Sequence, residues 1–263
     1  MRLNKGWVFN GRRFTGHRPR RTIAAARPPP PRAVPVATET ELKILLDTLS
    51  DYVAVRGALD GLAVDPLAAP RQAHQVNYYL DTVDRALLRQ RAMARVRVAD
   101  GAVEFTAKVK PRLQGGVIHV AEHQRLLSGE LAAQWLHAPP ARTNLAIDGD
   151  GWLTSGGVLA QPLVSDAQLF VLGAVQNLRR KVALDMAHWG GPPGVVVAEL
   201  DRVHYGVGGD EAERFELEVE HPEAEALLPG VEAWLTALGV AFRRAEETKY
   251  AQFLRLSGAA GAS

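Results

Sequence analysis

The sequence predicts an α+β protein whose antiparallel sheet closes into a β-barrel, with a charged lumen and helices packed outside. Three observations lead there. Runs of two-residue hydrophobic period outnumber helical runs. Two of those runs flank Asp100-Gly101, a strong hairpin signal. The polar faces of several strands carry charges that sort by sign, which suits an enclosed wet interior better than a solvated surface.

Strands are expected over 39–45, 76–82, 94–99, 103–110, 116–123, 195–205 and 214–221. Each alternates or is rich in β-branched residues. Helices are expected over 48–59, 128–137, 165–179 and 222–238. In the last of these Leu227, Leu228, Val231, Trp234, Leu235 and Leu238 form an apolar stripe, with Pro222 to open it and Gly239 to close it. Trp152, Trp189 and Trp234 read as packing residues, and Asp81 as the cap of a turn.

In a strand the side chains alternate between two faces. Glu39, Glu41 and Lys43 therefore share a face in ETELK, as do Arg95 and Arg97 in ARVRV, Lys108 and Lys110 in TAKVK, and Glu216, Glu218 and Glu220 in FELEVE. One such strand alone is simply amphipathic. Together, four cations and no anion on the hairpin face, with carboxylates on strands near each end of the domain, form like-charge clusters that need a neutralising ligand. Four cations suit a polyanion, and neighbouring carboxylates suit a hard divalent cation; a polyphosphate bound with Mg²⁺ satisfies both. Closing the sheet with charges inside leaves the apolar exterior for helices to cover and removes the sheet edges.

Composition narrows the function. Residues 1–38 hold no acid but nine Lys and Arg, leaving 22 of the 31 basic residues against all 29 acids, a balance of −7 for the rest. An acidic domain lacks the basic footprint of a nucleic-acid binder. The absence of cysteine removes thiolate chemistry, and no uncharged apolar run reaches the roughly 18 residues of a transmembrane helix. Nucleic acid and membrane are accordingly not expected as partners. Residues 1–35 form an Arg-rich, Pro-rich leader like a transit peptide, for a mitochondrion or chloroplast; without that role the protein is expected in the cytoplasm. Residues 36–263 form one domain.

Seven ordered motifs besides ETELK then resemble the CYTH superfamily, the triphosphate tunnel metalloenzymes, and its plant-type members most. They are NYYLDT (77–82), RVR (95–97), FTAKVKP (105–111), LGAVQNLRR (172–180), AELDRVHY (198–205), FELEVE (215–220) and ETKYAQF (247–253). The resemblance implies a closed antiparallel tunnel that hydrolyses a triphosphate, inorganic tripolyphosphate first, with Mg²⁺ or Mn²⁺. By motif, Glu39, Glu41, Glu216 and Glu218 would hold metal. Lys43, Arg95, Arg97, Lys108, Lys110, Arg179 and Lys249 would grip phosphates, and Glu218, Glu122 and Lys249 would act in catalysis. The expected partner is a small triphosphate, bound by a monomer or weak homodimer. Thiamine triphosphatase, a non-catalytic polyphosphate binder and a nucleotidyl cyclase are the alternatives.

One position departs from the family pattern. His119 aligns where an Arg is usual on the middle strand, which implies a weaker phosphate grip and activity that rises on acidification. Ala121 falls where an acid is common. Residues 119–123, HVAEH, also fit an inverted zinc-peptidase motif. That chemistry needs a helix, whereas the local alternation predicts a strand. Asp201 is open between ligand and turn residue.

Overall fold

In the computed structural model, the described residues are 37–64, 71–148, 151, 153, 159, 161–164, 167–207 and 210–258. The leader and Trp152 lie outside them. In chain order the elements are β1 (Ala37–Leu46), α1 (Leu49–Gly61), β2 (Arg71–Asp81), α2 (Ala86–Arg89), β3 (Ala92–Ala99), β4 (Ala102–Gln114), β5 (Val117–Leu126), α3 (Gly129–His137), β6 (Arg142–Asn144), β7 (Gln168–Asp185), β8 (Val195–Val207), β9 (Asp210–Glu220), α4 (Ala224–Ala237), β10 (Phe242–Arg244) and α5 (Lys249–Leu256).

Eight of these strands close a barrel in the order β1-β5-β4-β3-β2-β7-β8-β9, and β9 returns to β1. All neighbours are antiparallel, and the closing pair runs from Glu41 opposite Glu220 to Leu46 opposite Phe215. β10 continues the free side of β1 beyond β5, and β6 borders β7. The predicted hairpin is present: Ala99 faces Ala102, with Asp100 at φ 50° and Gly101 at φ 77°, the two left-handed residues of a type I′ turn.

Alternation sends apolar side chains outward, where helices cover them. Tyr52, Val55 and Leu59 of α1 and Leu227, Val231 and Leu235 of α4 bury Leu42, Ile44, Leu200, Leu217 and Val219. The fit of α4 is tight: a Cβ on Gly230 would stand 1.8 Å from the Trp189 carbonyl oxygen. Trp189 and Trp234 pack with ring centroids 5.8 Å apart, as expected of core residues. Trp135 of α3 closes a second cluster over Val96, Phe105 and Ala107. Phe253, Tyr250 and Leu254 of α5 instead meet Tyr79, Met93, Val203 and Tyr205, so α5 lies across one end of the barrel. Asp81 does cap a turn, accepting from the Leu87 and Leu88 amides at the start of α2 (2.9 and 3.1 Å).

Two expectations fail. Residues 168–179 of the helix expected over 165–179 belong to β7, an 18-residue strand, and 165–166 lie outside the described residues. The β7 register against β2 slips where Tyr79 faces Gly173 but Leu80 faces Val171. This bulge flips the alternation, so Val171 and Val182 pack in the outer clusters while Val175 packs with α5, and the helical spacing of 171, 175, 178 and 182 is drawn from two faces. Lys108 and Lys110 do not share a face either, because β4 slips against β5 between Val109 and Arg112 and Lys110 turns to φ 50°.

Candidate active site

The inward positions of the eight strands line a cavity of about 400 Å³. β1 supplies Glu39, Glu41 and Lys43, and β3 supplies Arg95 and Arg97. β4 gives Glu104 and Lys108, and β5 gives Glu122. β7 adds Arg179 and Lys181, β8 adds Glu199, and β9 adds Glu218 and Glu220. Asp201 and Glu216 are wholly buried among them. Thr248 caps α5 by accepting from the Ala251 amide at 3.2 Å, which places the first helical residue, Lys249, at the lumen.

On the β8–β9 side every cation is caged by carboxylates. Lys43 Nζ lies 2.6 Å from Glu218, 3.3 Å from Glu216 and 3.4 Å from Glu41. Lys249 Nζ meets Glu216 at 2.7 Å, Asp201 at 2.8 Å and also Glu218. The Arg179 guanidinium donates to both oxygens of Asp201 (2.8 and 2.5 Å) and to Glu218 (2.5 Å), and pairs with Glu199. Lys181 holds Glu199 from its other side at 2.5 Å. Burial disfavours the Lys43 ammonium, but Glu216 and Glu218 outweigh it and raise its pKa well above the ordinary value. Burial would likewise raise Glu218, yet Lys249, Lys43 and Arg179 hold it well below the ordinary carboxylate range. Glu41 fares differently: burial and then the Glu218 charge lift it from 4.5 to about 7.

Across the lumen the cations are less well served. Arg97 Nε donates to Asn77 Oδ1 at 3.0 Å, and its nearest carboxylate is Glu104 at 3.9 Å. Burial, then the like charges of Arg95 and Arg179, push the Arg97 guanidinium below its ordinary value. Arg95 makes no ion pair among the described residues, and its buried Nε has no hydrogen-bond partner. Lys108 bridges Glu39 (2.6 Å) and Glu122 (2.7 Å).

The expected site residues are thus brought together with two exceptions. Lys110 is exposed on the outside of the bulge. His119 faces outward on β5, within 3.2 Å of Thr40 Oγ1, while Ile118, Val120 and Glu122 take the lumen positions. Ala121 shares the outer face. Residues 119 and 122 differ by an odd number, so on an unbulged strand they cannot share a face. HVAEH lies on a strand, as expected, and carries no helical zinc motif. The hairpin face also holds an anion, Glu104, contrary to the expectation of cations alone. Glu199, Asp201 and Lys181 complete the lumen. Their signal was the same two-residue spacing, in AELD and in Arg179-x-Lys181, masked in the first case by the apolar run before it.

Asp201, Glu216 and Glu218 each offer an oxygen within 4.8 Å of the others. Of the expected metal set, Glu216 and Glu218 belong to this trio and Glu41 adjoins it through Lys43, whereas Glu39 is engaged by Lys108.

The chain is thus a closed antiparallel tunnel with carboxylate-caged cations on one wall and two under-neutralised arginines on the other. Residues 37–253 match the CYTH domain family, and the chain belongs to it. Among solved structures it is similar to an adenylyl cyclase candidate from Hippeastrum described as having a dominant triphosphatase activity (21% identity, 82% of this chain and 95% of that chain, TM-score 0.62). It is also similar to a proposed adenylate cyclase from Bacillus halodurans (18% identity, 82% and 98% of the two chains, TM-score 0.54). These likenesses show the fold. No curated protein sequence matches the chain.

Proposed function

We propose that the protein hydrolyses a phosphoanhydride bond of a small triphosphate with Mg²⁺ or Mn²⁺, and that inorganic tripolyphosphate is its substrate. The observation that carries this reading is the under-neutralised Arg95–Arg97 pair facing a buried carboxylate trio across one cavity. The triphosphatase described for the Hippeastrum protein accords with it. The residues also fit a divalent ion: the trio is all oxygen, the donor type that hard cations take, and the buried Glu216 Oε1 has no hydrogen-bond partner among the described residues.

Asp201, Glu216 and Glu218 would hold that ion, with Glu41 at its margin. When bound, it would supply Lewis-acid neutralisation of phosphate oxygens. The chain's own part is positioning and charge stabilisation, on which phosphoryl transfer mostly depends. Arg95 and Arg97 take the phosphate oxygens they face. Lys43, Arg179 and Lys249 hold phosphates once a cation shares their carboxylates. Glu218 is held ionised, so it orients water as a hydrogen-bond acceptor rather than storing its proton, and Glu122 presents a second acceptor nearby.

The test is phosphate release from tripolyphosphate, thiamine triphosphate and ATP with Mg²⁺, Mn²⁺ or chelator, beside Glu39→Ala and Glu216→Gln. Metal-dependent release, fastest from tripolyphosphate and lost in Glu216→Gln, is the expected result. Binding without release from any substrate would leave a polyphosphate binder, and cyclic nucleotide from ATP a cyclase.

A further inference from the structure

Two arginines of the lumen are anchored by opposite chemistry. Arg179 on β7 has all three guanidinium nitrogens on carboxylates: Nε and Nη2 donate to Asp201, Nη2 also to Glu218, and Nη1 pairs with Glu199. Arg97 on β3 is held instead by an amide, its Nε donating to Asn77 Oδ1 at 3.0 Å. Register makes that contact, because Asn77 of β2 stands directly opposite Arg97. Asn77 is buried and lines the same cavity. The amides continue beside it. Gln75, two residues back on the same face, accepts from Asn177 Nδ2 of β7 at 3.4 Å, and the buried Asn177 Oδ1 has no hydrogen-bond partner among the described residues. Gln75, Asn77 and Asn177 thus form a stretch of wall that is polar but uncharged, where β1, β8 and β9 place carboxylates.

A buried guanidinium ordinarily has a carboxylate partner, since leaving it unpaired costs free energy. The nearest acid to Arg97 is Glu104, 3.9 Å from Nη1. An amide at Nε satisfies that donor and fixes the plane of a rigid, forked group, while adding no negative charge. The two terminal nitrogens remain for a bidentate phosphate contact. An aspartate of nearly the same shape would make the same bond and cancel the charge. We propose that Asn77 is a positioning residue of the tunnel, a neutral anchor that orients Arg97 toward the substrate's phosphates without neutralising it. This rests on the tunnel gripping phosphate through Arg97, and adds what holds that grip in place and why the holder is an amide.

The experiment measures kcat/KM of the full chain on tripolyphosphate with Mg²⁺ in wild type, Asn77→Asp, Arg97→Gln and the double variant Asn77→Asp/Arg97→Gln. The aspartate should lower kcat/KM about tenfold, the scale of one charge-assisted contact. The ligand-free melting temperature should meanwhile hold or rise, because Arg97 gains a counter-charge. A merely structural asparagine would lower both together. In the Arg97→Gln background the same substitution should change kcat/KM by less than about twofold. Should Asn77→Asp not fold, Asn77→Ala carries the cycle: the Arg97 Nε is left without its acceptor, and kcat/KM should fall only where Arg97 is present. Unchanged values in the Asn77 variants, or an equal loss with and without Arg97, overturn the proposal. Wherever hydrolysis is absent, in wild type or variant, the cycle is read from the affinity for tripolyphosphate by calorimetry in the same buffer. Wild-type binding without hydrolysis fails the hydrolytic reading and leaves the anchor to be decided by that cycle. A wild type that does not bind tripolyphosphate removes the phosphate grip, and the anchor with it.

Discussion

The two walls of the lumen, built by the same pleat, stand in opposite electrostatic conditions. On the β8–β9 wall Lys43, Lys249 and Arg179 each touch at least three carboxylates. On the β2–β3 wall Arg95 has none among the described residues and Arg97 one at 3.9 Å. The difference separates two kinds of residue that sequence motifs group together. A member of the caged wall holds the apo fold together, because removing it strands a buried charge. A member of the open wall contributes little to the fold and waits for a ligand's charge.

The largest effect that could break this contrast comes from Glu218, which touches Lys43, Lys249 and Arg179 at once. Glu218→Gln should cost the metal-free protein about 3–5 kcal/mol, the usual penalty for breaking a buried ion network from one side. Urea unfolding without metal reads it directly. A loss under about 1 kcal/mol would mean that water already screens the cage.

Arg95→Ala should do the reverse. Its removal relieves the repulsion felt by Arg97, so the melting temperature should hold or rise. Turnover of tripolyphosphate should fall about a hundredfold, the scale for losing one donor to a developing charge. Should KM rise instead with turnover unchanged, Arg95 grips the ground state only.

A smaller effect concerns Glu41, whose pKa is raised from 4.5 to about 7 by burial and then by Glu218. A carboxyl raised on folding binds its proton more tightly when folded. Its stabilising contribution is therefore complete below the ordinary value and disappears as pH climbs through the raised one. Metal-free protein should thus gain stability on acidification from pH about 7 to about 4.5, and Glu41→Gln should flatten that slope. A slope of the opposite sign would show that Lys43 and Lys108 dominate Glu41's surroundings.

Much of the fold was legible because alternation is a local signal. Glu39, Glu41, Arg95, Arg97, Glu216 and Glu218 all face the lumen as their spacing requires. What was lost was lost at bulges, which hydrophobic period cannot report: one turned β7 into an apparent helix and another rotated Lys110 out of the site. Glu199 and Asp201 carried the correct spacing, but the VVV run before them reads as a buried strand on both faces, which hides a polar lumen position. Nothing local could have joined Lys249 to them, since its place depends on a helix laid across the end of the barrel.

The smallest expected effect tests the wall itself. If His119 filled the place of a phosphate-gripping arginine, His119→Ala would lower activity and remove a rise on acidification. Facing outward beside Thr40, it should instead leave turnover and its pH profile unchanged, and shift stability by no more than about 0.5 kcal/mol. The informative partner is Val120, its inward neighbour, which stands opposite Glu39. In Val120→Arg a new guanidinium enters the lumen close to Lys108, where Glu39 can pair with it. Tripolyphosphate should then bind more tightly, with a lower KM, if the β5 wall lies along the phosphate path. An unchanged KM in Val120→Arg, alongside a large loss in Arg95→Ala, would place the phosphates wholly against β2 and β3 and leave β5 as a spacer.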